Sequence, residues 1–231
     1  MRDQIDILLD AALLHVPFDG WSDEALKAAA NDSGMDIATA RALFPRGGVD
    51  LALAYHRRGD AQMAAKLAAE DISHLRFRDR IAFAVRTRIE AAEDRELVRR
   101  GAALFALPPY APDGARVIWG TADLIWNTLG DSSTDYNWYT KRATLAGVYS
   151  STVLYWLGDD SPNAQATWNF LDRRIDGVMQ FERVKGAAEK NPLLRAALAG
   201  PKAILSCIKA PARGPQSDLP GHVSPPPTQQ G

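Results

Sequence analysis

Apolar side chains recur along this chain at helical spacing. Ile5, Leu8, Leu9, Ala12, Leu13 and Val16 fall at i, i+3, i+4, i+7, i+8 and i+11, one face of a first helix. Pro17 and Gly20 are placed to end it. Ser22 is a good cap for a second, Ala-rich helix reaching about Asn31, and Ser33–Gly34 marks a turn. A short third helix is expected from about Ile37 to Leu43, stopped by Pro45, and a longer fourth from about Val49 to His74. Ile81, Val85, Ile89 and Ala92 mark a fifth; Leu97, Gly101 and Leu104 mark a sixth, closed by Pro108–Pro109. The segment Gly114 to Leu129 follows, and a polar turn from Gly130 to Thr134 leads to a helix from about Asp135 to Leu157. Another begins at Ser161–Pro162, where Trp168, Leu171, Ile175 and Val178 keep one buried stripe. No alternating strand pattern occurs. The pattern predicts an all-α, single-domain bundle of about nine to ten helices.

Composition narrows the function. With 231 residues, 46% hydrophobic and 24% charged, the chain can bury a large core, and its formal charge of -1 lacks the basic excess of a compact nucleic-acid binder. A single cysteine, Cys207, excludes an internal disulfide and fits a reducing compartment. The N-terminus lacks a basic start followed by an apolar run, and no stretch of about 18 apolar residues would span a membrane. A bacterial cytoplasmic protein, or a mature organellar form, is expected. Six prolines between Pro211 and Pro227 mark residues 211–231 as a tail that cannot fold by itself.

Residues 1–46 read as a helix-turn-helix, with Gly34 in the tight turn. Gly20–Trp21, Leu26 to Gly34 and Phe44–Pro45 resemble the tetracycline-repressor family of regulators. Thr39 and Phe44 match that family's recognition helix; Ala38, Arg41 and Leu43 depart from it. Asp32 and Asp36 flank the helix, where phosphates disfavour carboxylates, and Ile37, Ala38 and Ala40 offer no base-reading group. Arg41, Arg46, Arg57 and Arg58 fit a solvated surface equally well. These defects argue for a scaffold without nucleic-acid binding, with a ligand-responsive regulator as the alternative.

Residues 130–178 carry a more specific signal. Ser133 to Arg142 reads STDYNWYTKR; Asp160–Ser161–Pro162 and Thr167 to Leu171 extend it. The chain thereby resembles the ubiquinone-biosynthesis accessory family, coenzyme Q biosynthesis protein nine, over about residues 1–210. The resemblance implies a tetracycline-repressor-like fold and a hydrophobic pocket for an isoprenoid quinone or phospholipid. It also implies partnership with the di-iron demethoxyubiquinone hydroxylase and contact with the membrane surface. The scaffold commonly pairs as a homodimer. Asp135, Trp138, Tyr139 and Arg142 are then the partner-binding residues within the core of residues 47–184. By spacing alone, Trp138, Arg142, Leu145, Tyr149, Thr152 and Trp156 share one helix face, which also fits plain core. Phe83, Leu104, Phe105, Trp119, Trp126, Tyr149 and Trp156 are candidates to line the pocket, and each also fits plain core.

Residues 191–209 form an amphipathic pattern. Arg195, Lys202 and Lys209 share a polar arc opposite Leu193, Leu194, Leu198, Ile204, Leu205 and Ile208. Membrane contact and simple docking on the body both fit this helix, and the family resemblance favours the membrane. Gly200–Pro201 should interrupt it, and Arg183 to Lys190 reads as a polar loop that lets it detach.

Catalytic patterns are missing. The four histidines are scattered, no paired E-x-x-H motifs are present, and no phosphate-binding or nucleophile-elbow motif occurs. Arg88, Arg95, Arg99 and Arg100 alternate with Glu90, Glu93, Asp94 and Glu96 as a solvated face. Neither an enzyme nor a cofactor or metal is expected.

Overall fold

The structure is a computed structural model that describes residues 2–92, 94–190 and 209–211. Among them are nine α-helices and no strand: α1 (Arg2–Asp19), α2 (Asp23–Asp32), α3 (Ile37–Leu43), α4 (Gly48–Ala69), α5 (Phe77–Glu90), α6 (Arg95–Ala106), α7 (Ala111–Thr128), α8 (Tyr136–Leu157) and α9 (Gln165–Lys190). The helix starts follow local polar chemistry. Ser22 accepts from the Ala25 N–H, Asp36 from Ala38 and Thr39, Asp94 from Glu96, and Asp135 from Asn137. Gly34, at φ +65°, supplies the left-handed turn between α2 and α3.

Three boundaries differ from the pattern. α1 runs through Pro17 to Asp19, because Pro removes a single donor near the helix end and Gly20 closes it by donating to the Val16 carbonyl at 2.9 Å. α4 ends at Ala69, short of His74. A 3-10 turn, Pro162–Ala164, precedes α9, with Asn163 and Ala164 at φ 54°. There Asp159 accepts from the N–H and hydroxyl of Thr167 and holds the turn.

Two apolar cores result. α1, α2, α3, α6 and the first half of α4 enclose Leu8, Leu9, Leu26 and Leu51. The second half of α4 joins α5, α7, α8 and α9 around Met63, Ile125, Leu145 and Leu171. At the junction of α2 and α4, Gly48 approaches so closely that a Cβ would lie 2.2 Å from the Trp21 carbonyl oxygen. Between α2 and α6, Trp21 donates from Nε1 to the Leu97 carbonyl at 3.1 Å. No helix among the described residues is long and apolar enough to cross a membrane.

The expected loop from Arg183 to Lys190 is instead the last two turns of α9. Ala187, Ala188, Glu189 and Lys190 are good helix formers, and the first proline comes only at Pro192. Leu193, Leu194, Arg195, Leu198, Lys202, Ile204, Leu205 and Ile208 lie outside the described residues, as does most of the proline-rich tail. Lys209 is described and is not helical. Its carbonyl accepts from the Tyr139 hydroxyl at 3.4 Å, while the neighbouring Ala210 N–H donates to the Thr134 carbonyl at 2.9 Å.

Candidate functional site

A cavity of about 430 Å³ opens at the seam between the two cores. Trp21, Leu97 and Phe105 of the first core line it, as do Ile89, Val98, Ile118, Tyr149 and Trp156 of the second. Every helix from α4 to α8 contributes, and the volume lies in the range of small-molecule sites. Ala106, Ala111, Ala115 and Leu154 line it and are solvent-exposed, so they mark its mouth. Of the residues the sequence nominates, Phe105, Tyr149 and Trp156 line this cavity.

The other four nominees sit elsewhere. Trp126 is packed in the second core, with its indole N–H donated to the Lys141 carbonyl at 3.1 Å. Phe83 packs against that same core, beneath the Lys66 ammonium at 6.0 Å. Leu104 turns to the first core. Trp119 belongs to an aromatic cluster with Trp138 and Tyr139, at ring separations of 5.9 and 6.4 Å. Size and apolarity nominated all seven. Which face of each helix meets the seam was decided by packing.

The polar end of the cavity was missed. Arg88, read as part of a solvated face, is buried and lines the cavity. Its Nε donates to Asp60 at 2.6 Å and its Nη2 to the His56 carbonyl at 3.0 Å. A signal for this exists: Arg88 lies seven residues after Ile81 and four before Ala92, on the buried stripe of α5. His56 sits beside the pair, its Nε2 2.8 Å from the Thr121 hydroxyl. Burial, aided by the Arg88 charge, pushes the His56 imidazole down to about 4, so it is neutral at pH 7. Burial raises the Tyr149 phenol above its usual range against the pull of Arg88, which keeps the hydroxyl protonated.

A second feature is the exposed end of α8. Trp138 and Tyr139 form a T-shaped pair 4.7 Å apart; Tyr139 and the capping Asp135 are exposed and Trp138 is half-buried. Arg142, expected on the same surface, is wholly buried. Asp123 and Asp131 flank its guanidinium, Asn127 accepts at 3.2 Å, and the Trp138 ring lies 4.0 Å away. A charge with this many partners is held inside, and it supports Trp138 from beneath. Burial pushes the Asp131 carboxyl up, but hydrogen bonds from Lys141, Ser133 and Arg142 outweigh it and hold the group down at about 2.

Arg46 is engaged by Asp50 and by Asp113, the latter at 2.9 Å, and Asp36 places a carboxylate at the start of α3. No group of three His, Cys, Asp or Glu side chains able to hold a metal occurs among the described residues.

The fold is similar to that of the TetR transcriptional regulator from Nitrosomonas europaea, with a TM-score of 0.62, 20% identity, and coverage of 75% of this chain and 97% of that one. The COQ9 family's sequence model matches residues 111–182, which span α7, α8 and most of α9. The ubiquinone biosynthesis protein COQ9, mitochondrial, of Rattus norvegicus is 34% identical over 194 residues, 79% of this chain and 62% of that protein. Its counterparts in Drosophila melanogaster and Homo sapiens are 34% and 31% identical and are covered over 57% and 61% of their length. The chain therefore spans about three fifths of these relatives. Residues 111–182 match the COQ9 family's model, and the similarity to ubiquinone biosynthesis proteins of that name extends over 79% of a chain built on a TetR-like fold.

Proposed function

We propose that this protein is a non-catalytic accessory protein of ubiquinone biosynthesis that carries an isoprenoid quinone intermediate in its helical cavity. The observation that carries this reading is the apolar cavity at the seam of the two cores. The names of its relatives supply the pathway. In this reading the quinone is taken from the membrane and offered to the demethoxyubiquinone hydroxylase. The exposed Asp135 and Tyr139, with the half-buried Trp138 between them, form the docking surface, and Arg142 positions Trp138 from within. The basic and apolar faces of residues 191–209 hold the protein at the membrane surface. The protein pairs as a homodimer. The engagement of Arg46 and the carboxylate at the start of α3 weigh against a DNA-binding regulator.

Mass spectrometry of an organic extract from gently purified protein tests the reading. Quinone intermediates, isoprenoids or phospholipids at near one copy per chain are expected. An empty protein that binds duplex DNA in a salt-sensitive way would favour the regulator instead.

A further inference from the structure

The cavity has two unlike ends. At the mouth, Ala106, Ala111, Ala115 and Leu154 are apolar and exposed. At the closed end, two buried residues, Arg88 and Tyr149, present hydrogen-bond donors to the cavity. A guanidinium carries five N–H groups. Arg88 uses one on Asp60 and one on the His56 carbonyl, and no further acceptor lies in hydrogen-bond range among the described residues. The Tyr149 hydroxyl likewise has no hydrogen-bond partner among the described residues. Its ring lies 5.9 Å from the Arg88 guanidinium carbon. Buried donors of this kind are nearly always satisfied, by protein, water or ligand.

Three further polar groups of the lining are already engaged. Trp21 donates to the Leu97 carbonyl, Ser150 to the Ala146 carbonyl, and His56 Nε2 pairs with the Thr121 hydroxyl. Charge narrows the occupant further. Arg88 is neutralised by Asp60, and His56 is uncharged. An anionic head group would bring an unpaired charge into a buried site at high cost. The closed end offers donors and no net charge, so its complement is a neutral oxygen acceptor.

We infer that the cavity takes its lipid head-first: the Arg88 guanidinium and the Tyr149 hydroxyl donate to a neutral carbonyl oxygen of the quinone or ketone class, and the tail leaves past Leu154. This rests on the lipid-carrier reading above and adds the orientation of the ligand and the residues that select its head. An orientation with the head inward also means that the ligand must leave tail-first to be handed over.

A matched pair of probes tests this: decyl-1,4-benzoquinone and decylbenzene, which share a tail and differ in the oxygen acceptors. Each is titrated calorimetrically, in one detergent background, into the full chain and into Tyr149→Phe. The substitution removes one hydroxyl and keeps the ring. Wild type should bind the quinone more tightly than the hydrocarbon. Tyr149→Phe should weaken the quinone about three- to tenfold, the worth of one hydrogen bond. Its affinity for decylbenzene should stay within about twofold, which also shows the variant to be folded. Equal losses for both probes, or no loss for the quinone, would overturn the head-first orientation and leave the carrier reading standing. If neither probe binds wild type, the carrier reading falls and the orientation with it.

Discussion

Arg142 holds a guanidinium without solvent access between Asp123 and Asp131. Removing one partner of such a buried pair strands the others and costs about 3–5 kcal/mol. Asp123 is 35% exposed and regains some hydration, so Arg142→Met should fall near the lower figure in urea denaturation. A loss under about 1 kcal/mol would mean that water already reaches the pair. His56 gives a pH signature. Its folded value of about 4 lies below the ordinary 6.5, so the unfolded chain binds the extra proton first as pH falls. Stability is unaffected above pH 6.5 and declines as pH drops from there to about 4, by at most about 1.4 kcal/mol per pH unit. Replacing the imidazole by His56→Gln removes this component. The stability difference between wild type and variant should therefore shrink between pH 7 and pH 4.5, and parallel curves would show a histidine that is not buried and neutral.

A helix presents different residues to different tasks, and α8 divides its own within one turn. Trp138 and Tyr139 reach solvent, while Arg142, Leu145, Tyr149, Thr152 and Trp156 are buried. If the first turn is the hydroxylase surface, Trp138→Ala should weaken that complex about thirtyfold, as loss of an interface anchor does. Tyr139→Ala should act in the same direction with less effect on the fold, since Tyr139 is 36% exposed. Binding of the isolated hydroxylase to immobilised protein reads both, and undiminished binding in both variants would place the partner elsewhere. The sequence made this helix legible through its spacing, and it also held the correction. Arg142 shares the face of Leu145, Tyr149 and Trp156, all of which are interior. Arg88 obeyed the same rule on α5. Charge suggested solvent for Arg88 and the family resemblance suggested a partner surface for Arg142, while the register of both pointed inward, and a partner carboxylate decided in favour of register. Helix starts at Ser22, Asp36 and Asp135 were readable because their caps are local. The continuation of α1 past Pro17 was not, because it depends on Gly20 closing the helix beyond it.

Across the whole molecule, α4 threads both cores, and the cavity lies where they meet. Its lining comes from seven helix or loop segments spread over more than a hundred residues. No single-helix period reports such a site, which is why three of seven nominated residues reach it and Arg88 was not among them. The body formed by α1 to α9 has no helix that crosses a membrane. In the proposed function, contact with a bilayer falls to the charge and apolar pattern of residues 191–209. At its end, the Lys209 carbonyl accepts from the Tyr139 hydroxyl, and the following Ala210 N–H donates to the Thr134 carbonyl. These contacts bring Lys209 beside the proposed hydroxylase surface. Three basic side chains contribute roughly 1 kcal/mol each at an anionic leaflet. Truncation after Lys190 should therefore abolish sedimentation with phosphatidylserine-containing vesicles, while the thermal unfolding midpoint changes little because both cores are retained. The wild-type interaction should weaken as salt rises, since part of it is electrostatic. A truncated protein that still sediments would move the contact to the exposed apolar side chains of α1, Leu14 and Phe18, and detach membrane binding from the aromatic surface of α8.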